Sequence, residues 1–404
     1  MRMHLRSKCV RGGRAPIYME DFMKQSADIV IIGGGISGVS IGYYLLKHGA
    51  KNVIILERDY LTAGATGRCG AGIRQQWGSE INCILTKFSC EFFENAQDEL
   101  SYPGGIEFHQ GGYMMLITNE NELTQIKENI ALQNSLGIKS KLLPLTQAKE
   151  LAPLLNTDKL LATAYHHKDG HLNPFKTTHA FANAFKRLGG EIYSNTCVTG
   201  FTVKNQRITG VNTTKDHIAT ECIVNAAGGY SQSIAALAGV DLPLYSRRHN
   251  ILVTEPVEPV LSTMLMSFSL NFYCQQVPHG SFIMGRSCEN QPQDLRITAD
   301  SSFPENMAKT ITTVMPRLKN LRMLRQWAGL YNMSPDKHPV YAQAPELTGF
   351  YIAAGYSGHG FMMGPATGQI MSEMILGLSP TLPWDKLGLT RFQEGGLILE
   401  PLVV

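Results

Sequence analysis

Short apolar runs broken by glycine give the chain its first legible structure. Ile29 to Ile32 is a β-branched run of the kind that forms a fully buried parallel strand, and Gly33-Gly34-Gly35-Ile36-Ser37-Gly38 follows it at once. Val39, Tyr43 and Leu46 then recur at helical spacing until His48-Gly49, which predicts a helix from Ile36, and Val53 to Leu56 reads as the next buried strand. A second strand, glycine turn and helix is predicted in "GFYIAAGYSGHGFMMGPATGQIMSEMILG", Gly349 to Gly377. Between them "CIVNAAGGYS", Cys222 to Ser231, reads as a buried strand running into Ala-Ala-Gly and closing over the first site. No internal repeat or low-complexity linker interrupts these patterns.

The first unit is a complete strand–turn–helix–strand, the context that gives a glycine motif its meaning. Gly33 permits the tight turn, Gly35 lets the backbone approach a pyrophosphate, and Gly38 lets helix and strand pack closely. Ile36 and Ser37 begin the helix, whose free N–H groups face the phosphates. Glu57 stands 19 residues after Gly38 at the end of the second strand, where a carboxylate accepts both hydroxyls of an adenosine ribose. The pattern predicts a dinucleotide site without separating NAD from FAD.

Composition narrows the class. The 404 residues suffice for two lobes, with 44% hydrophobic and 17% charged residues. A net charge of +3 gives no polybasic field, so nucleic acid is not an expected partner. The eight cysteines form no CxxC pair, which predicts no metal site and reduced thiols in a cytoplasm. No apolar run reaches the roughly 20 residues of a membrane span. Residues 1–25 are basic, lack the apolar core of a secretory signal and precede or include Met19 and Met23; they are expected to be a disordered extension or an over-long reading frame.

"LTAGATGRCGAGIRQQWG", Leu61 to Gly78, is rich in Gly, Ala and Thr and can run close along an extended cofactor. Taken with the two glycine turns, it points to one long ligand. With the GGGISG unit and Glu57-Arg58, "GIRQQWG", "WAGLYNMSPDKHPV" and "AAGYSGHGF" in view, the chain resembles the D-amino-acid-oxidase-like FAD enzymes over roughly residues 27–380. Within them it looks most like β-type subunits of heteromeric sarcosine oxidases, L-proline dehydrogenases, and opine or D-hydroxyproline dehydrogenases. The resemblance implies an α/β fold, with a Rossmann-type FAD-binding domain (26–95 with 150–235 and 335–385) and an α+β, antiparallel-sheet substrate domain (96–149 with 236–334). Residues 386–404 are expected as a C-terminal tail, either an interface or a packing segment. The cofactor residues implied are Gly33, Gly35, Ile36, Ser37, Gly38, Glu57, Arg58, Ala65, Thr66, Gly70, Gly72, Val198, Ala227, Gly228, Gly355, Gly358, His359, Gly360, Phe361 and Met362.

For the chemistry, the resemblance implies positioning groups, because the flavin accepts the hydride. Arg74 falls where relatives clamp the substrate carboxylate, a task suited to a guanidinium fork. His359 lies in a turn at the pyrimidine end of the flavin, and Tyr273 is a candidate pocket wall or hydroxyl donor. Met362 stands where monomeric oxidases carry a second, lysine anchor, and Gly329 stands where they tether FAD through cysteine, so FAD is expected to be non-covalent. The position at which some β subunits tether FMN to histidine falls near Leu172-Asn173. Neither His171 nor His179 matches it cleanly, so no covalent FMN is expected, while FMN at a subunit interface stays open.

The expected function is oxidation of a secondary amino acid to an imine, as the catalytic subunit beside a second flavoprotein subunit and a small iron–sulfur subunit. Two alternatives remain: a stand-alone glycine or sarcosine oxidase using oxygen, and a non-catalytic FAD electron-transfer subunit.

Overall fold

The computed structural model describes residues 23–287 and 292–401. The first strand, Ile29–Ile32, pairs in parallel with Val53–Leu56 on one side and Ile223–Asn225 on the other. All three strands are buried along their length, as their unbroken apolar character requires. Phe350–Ala354 and antiparallel Val340–Gln343 extend the sheet at one edge and Glu191–Tyr193 at the other, giving six strands. The helix Ile36–Lys47 follows the glycine turn as the sequence predicts, and Gly364–Leu376 packs beside it. Their close approach rests on Gly368, where an added Cβ would lie 2.3 Å from Ser40 Oγ.

An eight-stranded sheet builds the second lobe from two excursions of the chain. Its long strands Tyr245–Thr254 and Met323–Met333 pair antiparallel at one edge. Phe282–Ser287, Phe272–Gln276 and Met264–Ser267 continue it antiparallel. Met264–Ser267 then meets Tyr113–Ile117 in a parallel pairing that joins the two excursions. Ala162–His166 and Lys141–Leu143 complete the far edge. One face packs on the helix Phe303–Val314 through Phe303, Met307 and Ile311, and Tyr113, Ile251, Met264, Met266 and Tyr273 form a separate cluster.

The expected boundaries need correction at two places. Ala162–His166, assigned above to the nucleotide-binding domain, pairs with Tyr113–Ile117 in the eight-stranded sheet. Nothing local to a five-residue strand says which sheet it will join. The expected extension 1–25 lies outside the described residues except for its end, and there Lys24 N–H donates to Tyr193 and the Gln25 carbonyl accepts from Ala219 N. The expected tail also packs: Arg391 is buried in an ion pair with Asp336, and Glu400 is buried, although Leu397 and Leu399 are exposed. Among the described residues no helix is long and apolar enough to cross a membrane, and no cluster of ligating side chains forms a metal site. Cys9 and Cys288 lie outside the described residues; the described cysteines are free thiols.

Candidate active site

A cavity of about 520 Å³ runs from the first glycine turn to the inner face of the eight-stranded sheet. Arg74, Tyr273 and His359 line it, and so do Gly33, Gly35, Ile36, Ser37, Glu57, Arg58, Ala65, Thr66, Gly70, Gly72, Val198, Ala227, Gly228, Gly358, Gly360, Phe361 and Met362. Gly38 and Gly355 do not. Each has a local reason to be glycine. A Cβ on Gly38 would lie 1.9 Å from the Gly33 carbonyl oxygen, and Gly355 turns at φ 79° while donating its N–H to Asn332 Oδ1 at 2.7 Å.

At the nucleotide end Gly33 adopts φ 117°, and a Cβ there would meet the Ala226 carbonyl oxygen at 2.5 Å. The residue before the following helix supplies no cap and its first turn has no acid, while Thr66 Oγ1 accepts the Ile36 N–H at 3.1 Å, so the helix's positive end faces the cavity with one of its N–H groups already taken. Glu57 accepts from Gly34 N at 2.7 Å and Asp59 N at 2.8 Å. It therefore fixes the loop as well as lining the cavity; each carboxylate oxygen retains a second lone pair for a ribose hydroxyl. Arg58 lies 4.3 Å from the centre of the Tyr230 ring and pairs with Asp59, closing this end.

Midway, the turn Gly355–Gly360 and the strand end at Asn332 enclose the cavity. Asn332 Nδ2 and His359 Nε2 are buried donors or acceptors without a protein partner. Burial holds the His359 imidazole well below its ordinary pKa, so it is neutral and any positive character here comes from backbone N–H groups. The second helix contributes less than its sequence position promises, because Ser89 Oγ accepts the Ala366 N–H in its first turn. Gly329 lines the cavity and offers no side chain to tether a ligand. Cys69 also lines it, but burial pushes its thiol up to about 12, and the sulfur donates to the Thr66 carbonyl.

Arg74 occupies the sheet end. It is 4% exposed, and its guanidinium lies 3.8 Å from the centre of the Trp77 ring. Its Nη1 donates to the Gln76 carbonyl at 3.2 Å, and no carboxylate of the described residues lies within ion-pair distance. Burial disfavours the charge, but a guanidinium stays protonated in proteins, so this is a cation in want of an anion. The segment carrying it is fixed by Asp169, wholly buried, which accepts from Gln75 N, Gln75 Nε2, Gln76 Nε2 and the His166 ring at 2.9–3.2 Å.

His249 is the functional candidate that the sequence did not reveal. It lies between Tyr331, 4.4 Å away and nearly parallel, and Tyr273, 5.6 Å away. Burial lowers its pKa to about 3, its Nδ1 faces Ser287 Oγ at 3.4 Å, and its Nε2 has no partner. The stretch near Leu172-Asn173, where the resemblance put an FMN tether, is structural here: Asn173 caps the helix Pro174–Arg187, and His171 is buried against His109. His179 is exposed on that helix.

A glycine-turn nucleotide lobe and an antiparallel sheet sharing one elongated cavity define a flavin-dependent oxidoreductase. The family model "DAO: FAD dependent oxidoreductase" matches residues 28–374, and the chain belongs to this family of enzymes, with FAD as cofactor. It is 27% identical over 383 residues to sarcosine oxidase subunit beta of Rhodobacter capsulatus, covering 93% of this chain and 91% of that protein. Among solved structures it is similar to L-proline dehydrogenase from P. horikoshii, at 36% identity and TM-score 0.89, covering 93% of this chain and 100% of that one. Glycine oxidase from Geobacillus kaustophilus shares the fold, at 22% identity and TM-score 0.83 over 91% of this chain and 99% of its own. The bare glycine backbone at Gly33 and Gly35, the helix N-terminus without an acid in its first turn and the free Asn332 donor fit FAD.

Proposed function

We propose that the chain oxidises a secondary α-amino acid, proline in type, at its Cα–N bond. The observation that carries this reading is Arg74: a buried cation without an anionic partner, opposite a wall of Tyr113, Ile251, Met264 and Met266 in the same cavity. One guanidinium holds one carboxylate, and the apolar wall receives a small ring or alkyl chain in place of a second charge. Bound FAD supplies a hydride acceptor for the substrate α-carbon. The acids lining the cavity, Glu57 and Asp59, belong to the nucleotide end, so no carboxylate favours an ammonium beside Arg74. The amine is thereby bound neutral, its ammonium proton passing to solvent on entry, and uncharged His249 offers its free Nε2 to the cavity as a hydrogen-bonding group. The imine product hydrolyses in water after release.

The likeness to a subunit named beta supports a heteromeric assembly in which electrons leave to partner subunits. Met362 in place of a second cationic anchor fits the same reading, and a cytoplasmic location fits the absence of a spanning helix among the described residues. The test is anaerobic flavin bleaching by sarcosine, L-proline, D-proline, hydroxyprolines, glycine and opines, with Arg74→Ala alongside. Bleaching by a cyclic or N-alkyl amino acid, lost in the variant, is expected. Equal bleaching by the variant removes the anchor. Rapid aerobic reoxidation with stoichiometric peroxide favours a stand-alone oxidase instead.

A further inference from the structure

We propose that Glu400, in the C-terminal segment, is a positioning residue for the substrate carboxylate; the proposal rests on Arg74 as its anchor. The Glu400 carboxyl is fully buried and accepts from Gly78 N at 2.8 Å, Ser79 Oγ at 2.6 Å and Asn82 Nδ2 at 2.9 Å. These three donors lie one, two and five residues after Trp77, the aromatic support of Arg74. Trp77 Nε1 donates to the Arg74 carbonyl at 2.9 Å, and the guanidinium lies 3.8 Å from the Trp77 ring. Glu400 thus fixes the turn that follows Trp77 and makes no ion pair with Arg74. An acid that paired with the arginine directly would compete with the substrate; this one sets the arginine's support and leaves its charge available.

The segment bearing Glu400 is pinned independently. Arg391 donates to both oxygens of Asp336 at 2.7 and 3.0 Å, and Ile398 N donates to Asp336 Oδ2 at 3.3 Å. His338 bridges the two anchorages: its Nδ1 faces the Asp336 carbonyl at 3.0 Å and its Nε2 faces Ser79 Oγ at 3.0 Å. Ser79 has one hydroxyl hydrogen for two close partners. With that hydrogen given to Glu400, the Ser79 oxygen is the acceptor of the contact with the His338 ring. A methyl group at position 400 would leave Gly78 N, Ser79 Oγ and Asn82 Nδ2 without their acceptor, and the Trp77 turn would lose its fixed geometry.

The test uses the FAD-loaded full chain and its Glu400→Ala, Glu400→Gln and Arg74→Ala variants. KM and kcat are measured with the amino acid that bleaches the flavin, and the Kd of pyrrole-2-carboxylate is read from the flavin spectrum. FAD content and Tm are measured in parallel. Glu400→Ala is expected to raise KM and the analogue's Kd by about tenfold, the effect of losing a charged acceptor, with FAD content retained. Glu400→Gln keeps the shape and one acceptor oxygen, and its rise is expected to be smaller than that of alanine. Unchanged KM and Kd in a folded Glu400→Ala overturn the proposal, as does a lower Tm with no change in either constant. Where alanine prevents folding, unchanged constants in Glu400→Gln overturn it. If Arg74→Ala also leaves KM unchanged, the anchor itself is refuted; if only the Glu400 variants are silent, the anchor stands and the positioning role falls.

Discussion

The Arg74 guanidinium lies 3.8 Å from the centre of the Trp77 ring, and the His359 ring packs against the same indole at 4.8 Å. Trp77 therefore links the buried Arg74 cation to the turn Gly355–Gly360, so side-chain changes here divide into loss of charge and loss of alignment. Arg74→Ala is expected to lower kcat/KM by about 100-fold, the worth of a bidentate charge-assisted contact. Trp77→Leu keeps the charge and loses the cation–π support, for an expected rise in KM of about tenfold. Steady-state kinetics of both variants separate the two contributions.

Gly33→Ala is expected to give a protein that loses most of its FAD. The residue sits at φ 117°, and the new methyl group would lie 2.5 Å from the Ala226 carbonyl oxygen, so the turn must open. Bound flavin per chain after gel filtration reports it, and a flavin content equal to the parent protein refutes the geometry.

Asn332→Asp tests the middle of the cavity. The native amide accepts from Gly355 N at 2.7 Å with its oxygen, while its buried Nδ2 has no protein partner. The aspartate keeps the acceptor, removes the donor and adds a negative charge. A lower flavin reduction potential and weaker FAD binding are expected, since negative charge opposes a reduced, anionic ring. Spectroelectrochemical titration against the parent protein checks the direction.

Buried His249 gives a pH dependence with a definite sign. Its pKa falls from 6.5 to about 3 on folding because burial penalises the charged ring. Between those values the unfolded chain binds a proton that the native state refuses, so stability is complete above 6.5 and is lost as pH falls toward 3. Each such group contributes about 1.4 kcal/mol per pH unit inside its window. Thermal melts from pH 7 to pH 4 should show a shallower fall in Tm for His249→Gln than for the parent; parallel curves reject the assignment.

The strand–turn–helix at Ile29–Lys47 was legible because its signals are local: apolar period, glycine punctuation and an acid at a fixed distance. Nearly all the glycine-turn residues line one cavity, while Gly38 and Gly355 stand outside its lining. Arg74 was legible through resemblance, since nothing in its own neighbourhood marks a buried cation. Its supports were not legible at all: Asp169 reaches Gln75 across 94 residues and Glu400 reaches Gly78 across 322. His249 escaped notice for the same reason, as its two flanking tyrosines arrive from other strands. Lone polar residues inside apolar stretches carry no sign of the partner that the fold will bring.

The parallel pairing of Tyr113–Ile117 with Met264–Ser267 sets an order of events during synthesis. A nascent chain can form the first glycine turn once residue 58 has emerged, but the sheet that faces it stays open until residue 267 is available. Strand Phe350–Ala354, and then Glu400 against Gly78, arrive later still. Such long-range pairings close slowly compared with local turns and helices. Nearly the whole chain must therefore be synthesised before the cavity has all its walls, the last of them Gly358, His359, Gly360, Phe361 and Met362.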